Sequence, residues 1–280
     1  MIITKTLNNK NQYDVDYKKF YFPSGEMGIE FTEDALHTLY DVAVIEIVAQ
    51  ITTPDEIIEL MLINDALRNM LKNNNCDDVQ FRLSLPYIPF GRQDRHTTST
   101  SPFSLKVFAD MLNSCKFDDV VTFDPHSNVS ELLINNLHIS SSFPRHYFKE
   151  KSEDTIIIAP DAGAEKRAYK YAECYKFTDV VVCSKKRNAV TGEIMGYQTP
   201  VIEDDKHLIV IDDICDGGRT FIELAKKLPE KRKSLTLIVS HGIFSKGRQV
   251  LLDAGYDNVF ASSRFIEERL IQNENDTKIS

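Results

Sequence analysis

Residues 207–224 read HLIVIDDICDGGRTFIEL, a run that few folds accommodate. Residues 208–211 are apolar and β-branched enough to form a buried strand. Asp212 and Asp213 follow at once, then a short loop of Cys215, Asp216, Gly217, Gly218, Arg219 and Thr220, then an amphipathic helix from near Phe221. Strand, acidic pair, Gly-rich loop and helix together suit a phosphorylated sugar. Backbone N–H groups at a helix start face an anion, and glycine lets the chain approach it closely. Paired carboxylates accept hydrogen bonds from two vicinal ribose hydroxyls. The bland alternative is an ordinary β–α turn that carries DD and GG.

Elsewhere the chain repeats this strand–helix rhythm. YFPSGEMGIE at 21–30 places a turn at Pro23 and Gly25 between two short strands. Residues 42–48 read as a strand. Pro54 opens a helix with apolar Ile57, Ile58, Leu60, Met61 and Leu62, continuing to about Leu71. Strands are expected at 78–85 and 120–123, with a helix at 104–112 between them. After a looser polar passage at 140–154 come a strand at 156–158, a helix, a strand at 180–183, the basic run SKKR, the central run, and a strand at 235–239. Alternation of this kind argues for parallel sheets covered on both faces. With 280 residues there is room for two domains. Their boundary is expected near 145, giving 1–145 and 146–280, with no residue-level repeat between the halves.

A net charge of –9 and a pI near 5.3 do not suggest a nucleic-acid partner, so phosphate binding has to come from local basic residues and helix ends. Cys76, Cys115, Cys174, Cys183 and Cys215 show no metal-ligand spacing. Such a scattered, odd set points to reduced thiols and a cytoplasmic setting. MIITKTLNNKNQYD lacks the apolar core of a signal peptide, and no apolar run reaches membrane-spanning length. No membrane partner is expected.

Ligands of open parallel sheets bind outside the strand ends, and several polar clusters fall there. In PYIPFGRQDR, at 86–95, Arg92 and Arg95 suit phosphate oxygens, and Gln93 and Asp94 add polar contacts. A charged surface loop would read the same way. Asp124 and His126 sit at a neighbouring strand end, where a lone histidine is as readily structural. Asp161 is a second carboxylate able to reach a metal-bound triphosphate. Mg²⁺ takes few protein ligands beside phosphate oxygens and water, so one His and one Asp would be enough.

In order, PYIPFGRQDR, DPHS, APDAGAEKRA, SKKR, IDDICDGGRT and SHGIFS resemble the ribose-phosphate diphosphokinases, over about residues 21–260. The central run alone is also similar to the signature of type I phosphoribosyltransferases, but that reading leaves PYIPFGRQDR and DPHS unexplained. The resemblance implies an α/β fold of two tandem type I phosphoribosyltransferase-like domains, each a mainly parallel sheet flanked by helices, with ATP and sugar phosphate meeting between them. It implies ATP binding by Arg92, Gln93 and Asp94, and by Phe22 and Glu26 reaching from a neighbouring subunit of a homo-oligomer, dimer or hexamer. It places Mg²⁺ at His126 and Asp161, and the catalytic cations Lys185 and Arg187 on a mobile loop. Asp212 and Asp213 would take the ribose hydroxyls, and Asp216, Gly217, Gly218, Arg219 and Thr220 the 5-phosphate. The implied reaction is attack of the C1 hydroxyl of ribose 5-phosphate on the β-phosphorus of MgATP, with release of AMP and no covalent enzyme intermediate.

Three positions depart from the family pattern. Ser24 stands where the adenine turn usually carries aspartate. The stretch after RQD, from His96 to Pro102, has lost the cations that help form a regulatory phosphate or ADP site. The family loop D-T-G-G-T becomes Asp216-Gly217-Gly218-Arg219-Thr220, roomier and more cationic. Such a loop would also suit a 5-diphosphate, as in ADP-ribose, which carries a free C1 hydroxyl. Enzymes resembling this family that diphosphorylate ADP-ribose occur in phage-type NAD-rebuilding pathways. A non-catalytic regulatory homologue is the remaining alternative, and the presence of His126, Asp161, Lys185, Arg187, Asp212 and Asp213 argues against it.

Overall fold

The computed structural model describes residues 2–8, 11–32, 35, 39, 42–74, 76, 78–140, 153–187 and 194–262, with the backbone alone for 2–14, 185–187 and 194–197. The chain divides into two compact units, Met1–Ser141 and Ser142–Ser280. The boundary expected near 145 lies outside the described residues.

In the first unit β1 (Ile2–Asn8) and β2 (Asn11–Val15) form an antiparallel edge that the strand–helix pattern did not predict. A separate hairpin, β3 (Tyr17–Tyr21) and β4 (Met27–Phe31), follows. Then come β5 (Val44–Ala49), α1 (Pro54–Asn73), β6 (Gln80–Ser84), α2 (Ser104–Ser114), β7 (Asp119–Phe123), α3 (Val129–Leu133) and β8 (Leu137–Ser140). The six-stranded sheet runs β2-β1-β5-β6-β7-β8, parallel from β5 onwards. α1 starts where the sequence places it. Pro54 occupies its first turn, where no N–H is needed, and Glu56 accepts the Thr53 N–H at 2.9 Å, closing one half of a capping box.

Burial in β5, β6 and β7 alternates. Ile45, Ile47, Phe81, Leu83 and Val120 point into one core with Leu60, Ile63 and Leu67 of α1 and Leu105, Phe108 and Leu112 of α2. The opposite face mixes half-buried Val44, Val48, Val121 and Phe123 with cross-strand polar pairs: Ser84 donates to Glu46 at 2.6 Å and Arg82 to Asp119 at 2.6 Å. The strands themselves alternate, so one face supplies this core.

The second unit contains β9 (Thr155–Ala159), α4 (Glu165–Tyr175), β10 (Asp179–Val182), β11 (Ser184–Arg187), β12 (Ile194–Gln198), β13 (His207–Cys215), α5 (Arg219–Ala225), β14 (Ser234–Gly242), α6 (Gln249–Leu252) and β15 (Asn258–Ala261). Its five-stranded sheet, β10-β9-β13-β14-β15, is parallel throughout. Both faces are apolar. Ile156, Ile158, Leu208 and Val210 pack with Phe221 and Leu224 of α5, while Ile157, Ala159, Ile209 and Ile211 pack with Ala168 and Tyr171 of α4. That two-sided burial explains the continuous apolar runs of β9 and β13. β11 and β12 form a small antiparallel hairpin of their own.

Candidate active site

The order β10-β9-β13 contains a reversal: the chain leaves β9 on one side for β10 and returns to its other side as β13. Loops at the carboxyl ends of two such strands diverge and leave a crevice. Asp161 follows β9, and Asp212 and Asp213 lie on β13. The sequence reading ended this strand at Ile211; it continues through Cys215 because Ile214 and Cys215 still pair with His241 and Gly242 of β14.

Each carboxylate of the pair is fixed by a backbone N–H. Asp212 accepts from the Asp213 amide and Asp213 from the Ile214 amide, both at 2.9 Å. One guanidinium spans them: Arg167 Nη1 lies 3.8 Å from Asp212 Oδ1 and Nη2 lies 4.0 Å from Asp213 Oδ2. Burial, and then repulsion from Asp213, push the Asp212 carboxyl well above the ordinary carboxylate range, and Arg167 opposes that rise. Arg167 was missed in the sequence, where it appears as one cation in AEKRA.

The loop after β13 returns through Gly218, whose φ of +74° is left-handed and caps α5. A β-carbon there would stand 3.1 Å from Leu251. Gly217 lies against the Lys246 side chain, 3.6 Å from its Cε to an added β-carbon. Lys246 therefore flanks the loop, one residue beyond the SHGIFS run. Arg219, the first residue of α5, is exposed, and Thr220 is half-buried. Asp161 accepts the Gly163 N–H at 2.9 Å. Lys185 and Arg187, placed on a loop by resemblance, have their backbone in β11, with a register shift between Lys186 and Arg187. Their side chains lie outside the described residues.

In the first unit, Arg92, Gln93, Asp94 and His126 cluster at the carboxyl ends of the neighbouring strands β6 and β7. Ser104 donates to Gln93, and Ser127, next to His126, donates to Asp94 at 2.7 Å. A β-carbon on Gly91 would stand 3.3 Å from that of His126, so the two segments touch. Residues 96–101 fold onto Ser101, whose hydroxyl accepts the Thr97 and Thr98 N–H groups at 2.8 Å. Phe22 and Glu26 lie on the β3–β4 turn, closed by the Phe22 N–H to the Glu26 carbonyl at 2.8 Å. Phe22 is half exposed, and Phe20 meets its ring edge to face at 5.3 Å. The hairpin is tied to α1 through Glu59, which accepts from Tyr17 at 2.7 Å and Lys19 at 3.1 Å. Burial, and then Glu59, raise the Tyr17 hydroxyl above its ordinary pKa.

All five cysteines are free, and burial pushes the Cys183 thiol up to about 11, which leaves it a packing residue. Among the described residues no helix is long and apolar enough to cross a membrane. Nor do these residues bring three or more His, Cys, Asp or Glu side chains together around a metal position.

Two α/β units in tandem, the second with an acidic pair and a Gly-rich turn at its switch point, define a protein of phosphoribosyltransferase-like architecture. A phosphoribosylpyrophosphate synthetase structure from Mycobacterium smegmatis shares the fold, with a TM-score of 0.68 at 20% identity, over 88% of this chain and 80% of that one. No family model matches the chain. In sequence it is 30% identical to ribose-phosphate pyrophosphokinase 3 of Saccharomyces cerevisiae, over 81% of this chain and 70% of that protein. It is 29% identical to ribose-phosphate pyrophosphokinase of Pyrococcus abyssi, over 85% and 79%. The chain belongs to the ribose-phosphate pyrophosphokinase family, and is a transferase.

Proposed function

We propose that the chain transfers the β,γ-diphosphate of ATP to the C1 hydroxyl of ribose 5-phosphate, giving phosphoribosyl diphosphate and AMP. The observation that carries this reading is the Asp212–Asp213 pair running directly into the Gly217–Gly218 turn at the β9/β13 switch point. In this reading the pair accepts the ribose hydroxyls, which orients C1. Backbone N–H groups of Gly217 and Gly218 and the Thr220 hydroxyl hold the 5-phosphate. Arg92, Gln93 and Asp94 bind the triphosphate side of ATP, and Phe22 and Glu26 bind adenine for a neighbouring subunit. The first unit thus holds the ATP elements and the second the acceptor.

Mg²⁺ fits the donor set. Asp161 offers a hard carboxylate oxygen on a loop anchored by the Gly163 N–H, and Mg²⁺ takes its other ligands from phosphate oxygens and water. His126 in the first unit and Asp161 in the second are each proposed to hold Mg²⁺, which would neutralise charge on the triphosphate when bound. Lys185 and Arg187 stabilise charge on the transferred group, since such transfer depends on positioning and charge neutralisation. AMP, in proportion to acceptor consumed, is the expected product from ATP. Stoichiometric ADP in a chromatographic assay would mean γ-phosphoryl transfer and defeat the reading.

Arg219 favours a second acceptor, ADP-ribose. A cation in the first turn of a helix opposes the macrodipole, and an additional ligand phosphate would compensate it. With ribose 5-phosphate as the acceptor, Arg219→Gly should change kcat/KM within about threefold, because the backbone donors remain. With ADP-ribose, one charge-assisted contact is lost, and kcat/KM should fall about ten- to a hundredfold. Steady-state rates with both acceptors decide between them. Equal effects on the two would remove Arg219 as the discriminator.

A further inference from the structure

We infer that Arg167 is a positioning residue for the acceptor: its guanidinium spans Asp212 and Asp213 and holds the two carboxylates as one hydroxyl-binding unit. The inference rests on the reading that this pair takes the ribose hydroxyls. Arg167 lies in the first turn of α4, which packs on β9 and β13, and its side chain is 13% exposed, against 16% for Asp212 and 8% for Asp213. Three charged groups are thus withdrawn from water together. A cation at a helix start is unfavourable on its own, so the carboxylates, not the helix, account for its place there.

At 3.8 and 4.0 Å the contacts are longer than hydrogen bonds. The attraction is Coulombic, and one planar group can face both partners where a lysine would meet them as a point. Asp212 is surrounded unequally. Its register partner on β14 is the apolar Val239, its own strand supplies the like charge of Asp213, and α4 supplies Arg167. β14 also carries His241, opposite Ile214. Without Arg167, two adjacent buried carboxylates would not both stay ionised, and a protonated member would accept one hydroxyl hydrogen bond fewer.

The test is calorimetric binding of ribose 5-phosphate and of ADP-ribose to the full chain between pH 5.5 and 9, together with steady-state kinetics. Arg167→Met should weaken acceptor binding about tenfold or more at pH 7 and move its acid limb up by roughly one to three pH units. Arg167→Lys should restore the limb to near its original position and recover part of the affinity. KM for ATP should hold within about threefold, because the pair does not touch ATP in this reading. Arg167→Gln, neutral but hydrogen-bonding, replaces Arg167→Met if that variant does not fold. An unmoved acid limb overturns the inference, as does a fall in kcat with acceptor affinity intact, which would make Arg167 a direct contributor to transfer. Wild-type protein that binds neither acceptor overturns the acceptor reading, and this inference with it.

Discussion

Lys185→Ala and Arg187→Ala are each expected to lower kcat by at least about a hundredfold, the scale of one lost electrostatic donor at a transfer centre. In diphosphate transfer the attacking oxygen and the leaving AMP need placement, while the moving group carries dense negative charge that only cations can offset. Residues that act on this charge as it redistributes are worth most at the transition state. Their removal should therefore leave KM for ATP within about threefold. The two lie two positions apart in β11, a strand whose partner is β12 and whose register shifts between Lys186 and Arg187. Steady-state kinetics at saturating acceptor make the measurement. A raised KM for ATP with kcat intact would reduce both to ordinary binding residues.

What could be read in the sequence follows from how each signal arises. The runs at 208–211 and 156–158 announce strands because β13 and β9 are buried on both faces, and residues 54–71 announce α1 because Pro54 and Glu56 mark its start. The β1–β2 edge escaped because asparagines stand where the two strands pair at their ends, Asn8 with Asn11, and read as surface. β11 escaped for a related reason: SKKR is basic, and its pairing with β12 depends on residues seven to fourteen positions away. The end of β13 was misplaced because two aspartates disfavour a strand locally, whereas pairing with β14 decides the matter globally. At the site, DD and GG were visible as types at a spacing. Arg167 was not, because nothing in AEKRA says that the first turn of α4 faces the pair on β13. Sequence shows which groups are present; the β10-β9-β13 reversal brings them to one crevice.

That crevice makes the last expectation, for the acidic pair itself. The double substitution Asp212→Asn, Asp213→Asn keeps side-chain volume and the oxygens that accept the Asp213 and Ile214 N–H groups. It removes both charges. Two charge-assisted hydrogen bonds to ribose hydroxyls, each worth about 1.5–3 kcal/mol, should raise the acceptor KM by at least about a hundredfold, while ATP binding, measured separately, reports an intact first unit. Arg167 is then left largely buried without its two carboxylates, so the melting temperature should fall as well. The single change Asp213→Asn separates charge from contact. Burial raises the Asp212 carboxyl first and Asp213 raises it further, so neutralising Asp213 must lower it. Acceptor affinity weakens, yet its acid limb moves to lower pH, opposite in sign to the shift expected for Arg167→Met. If both variants moved the limb in the same direction, the three groups would not form one electrostatic unit, and hydroxyl recognition would have to be sought elsewhere on β13.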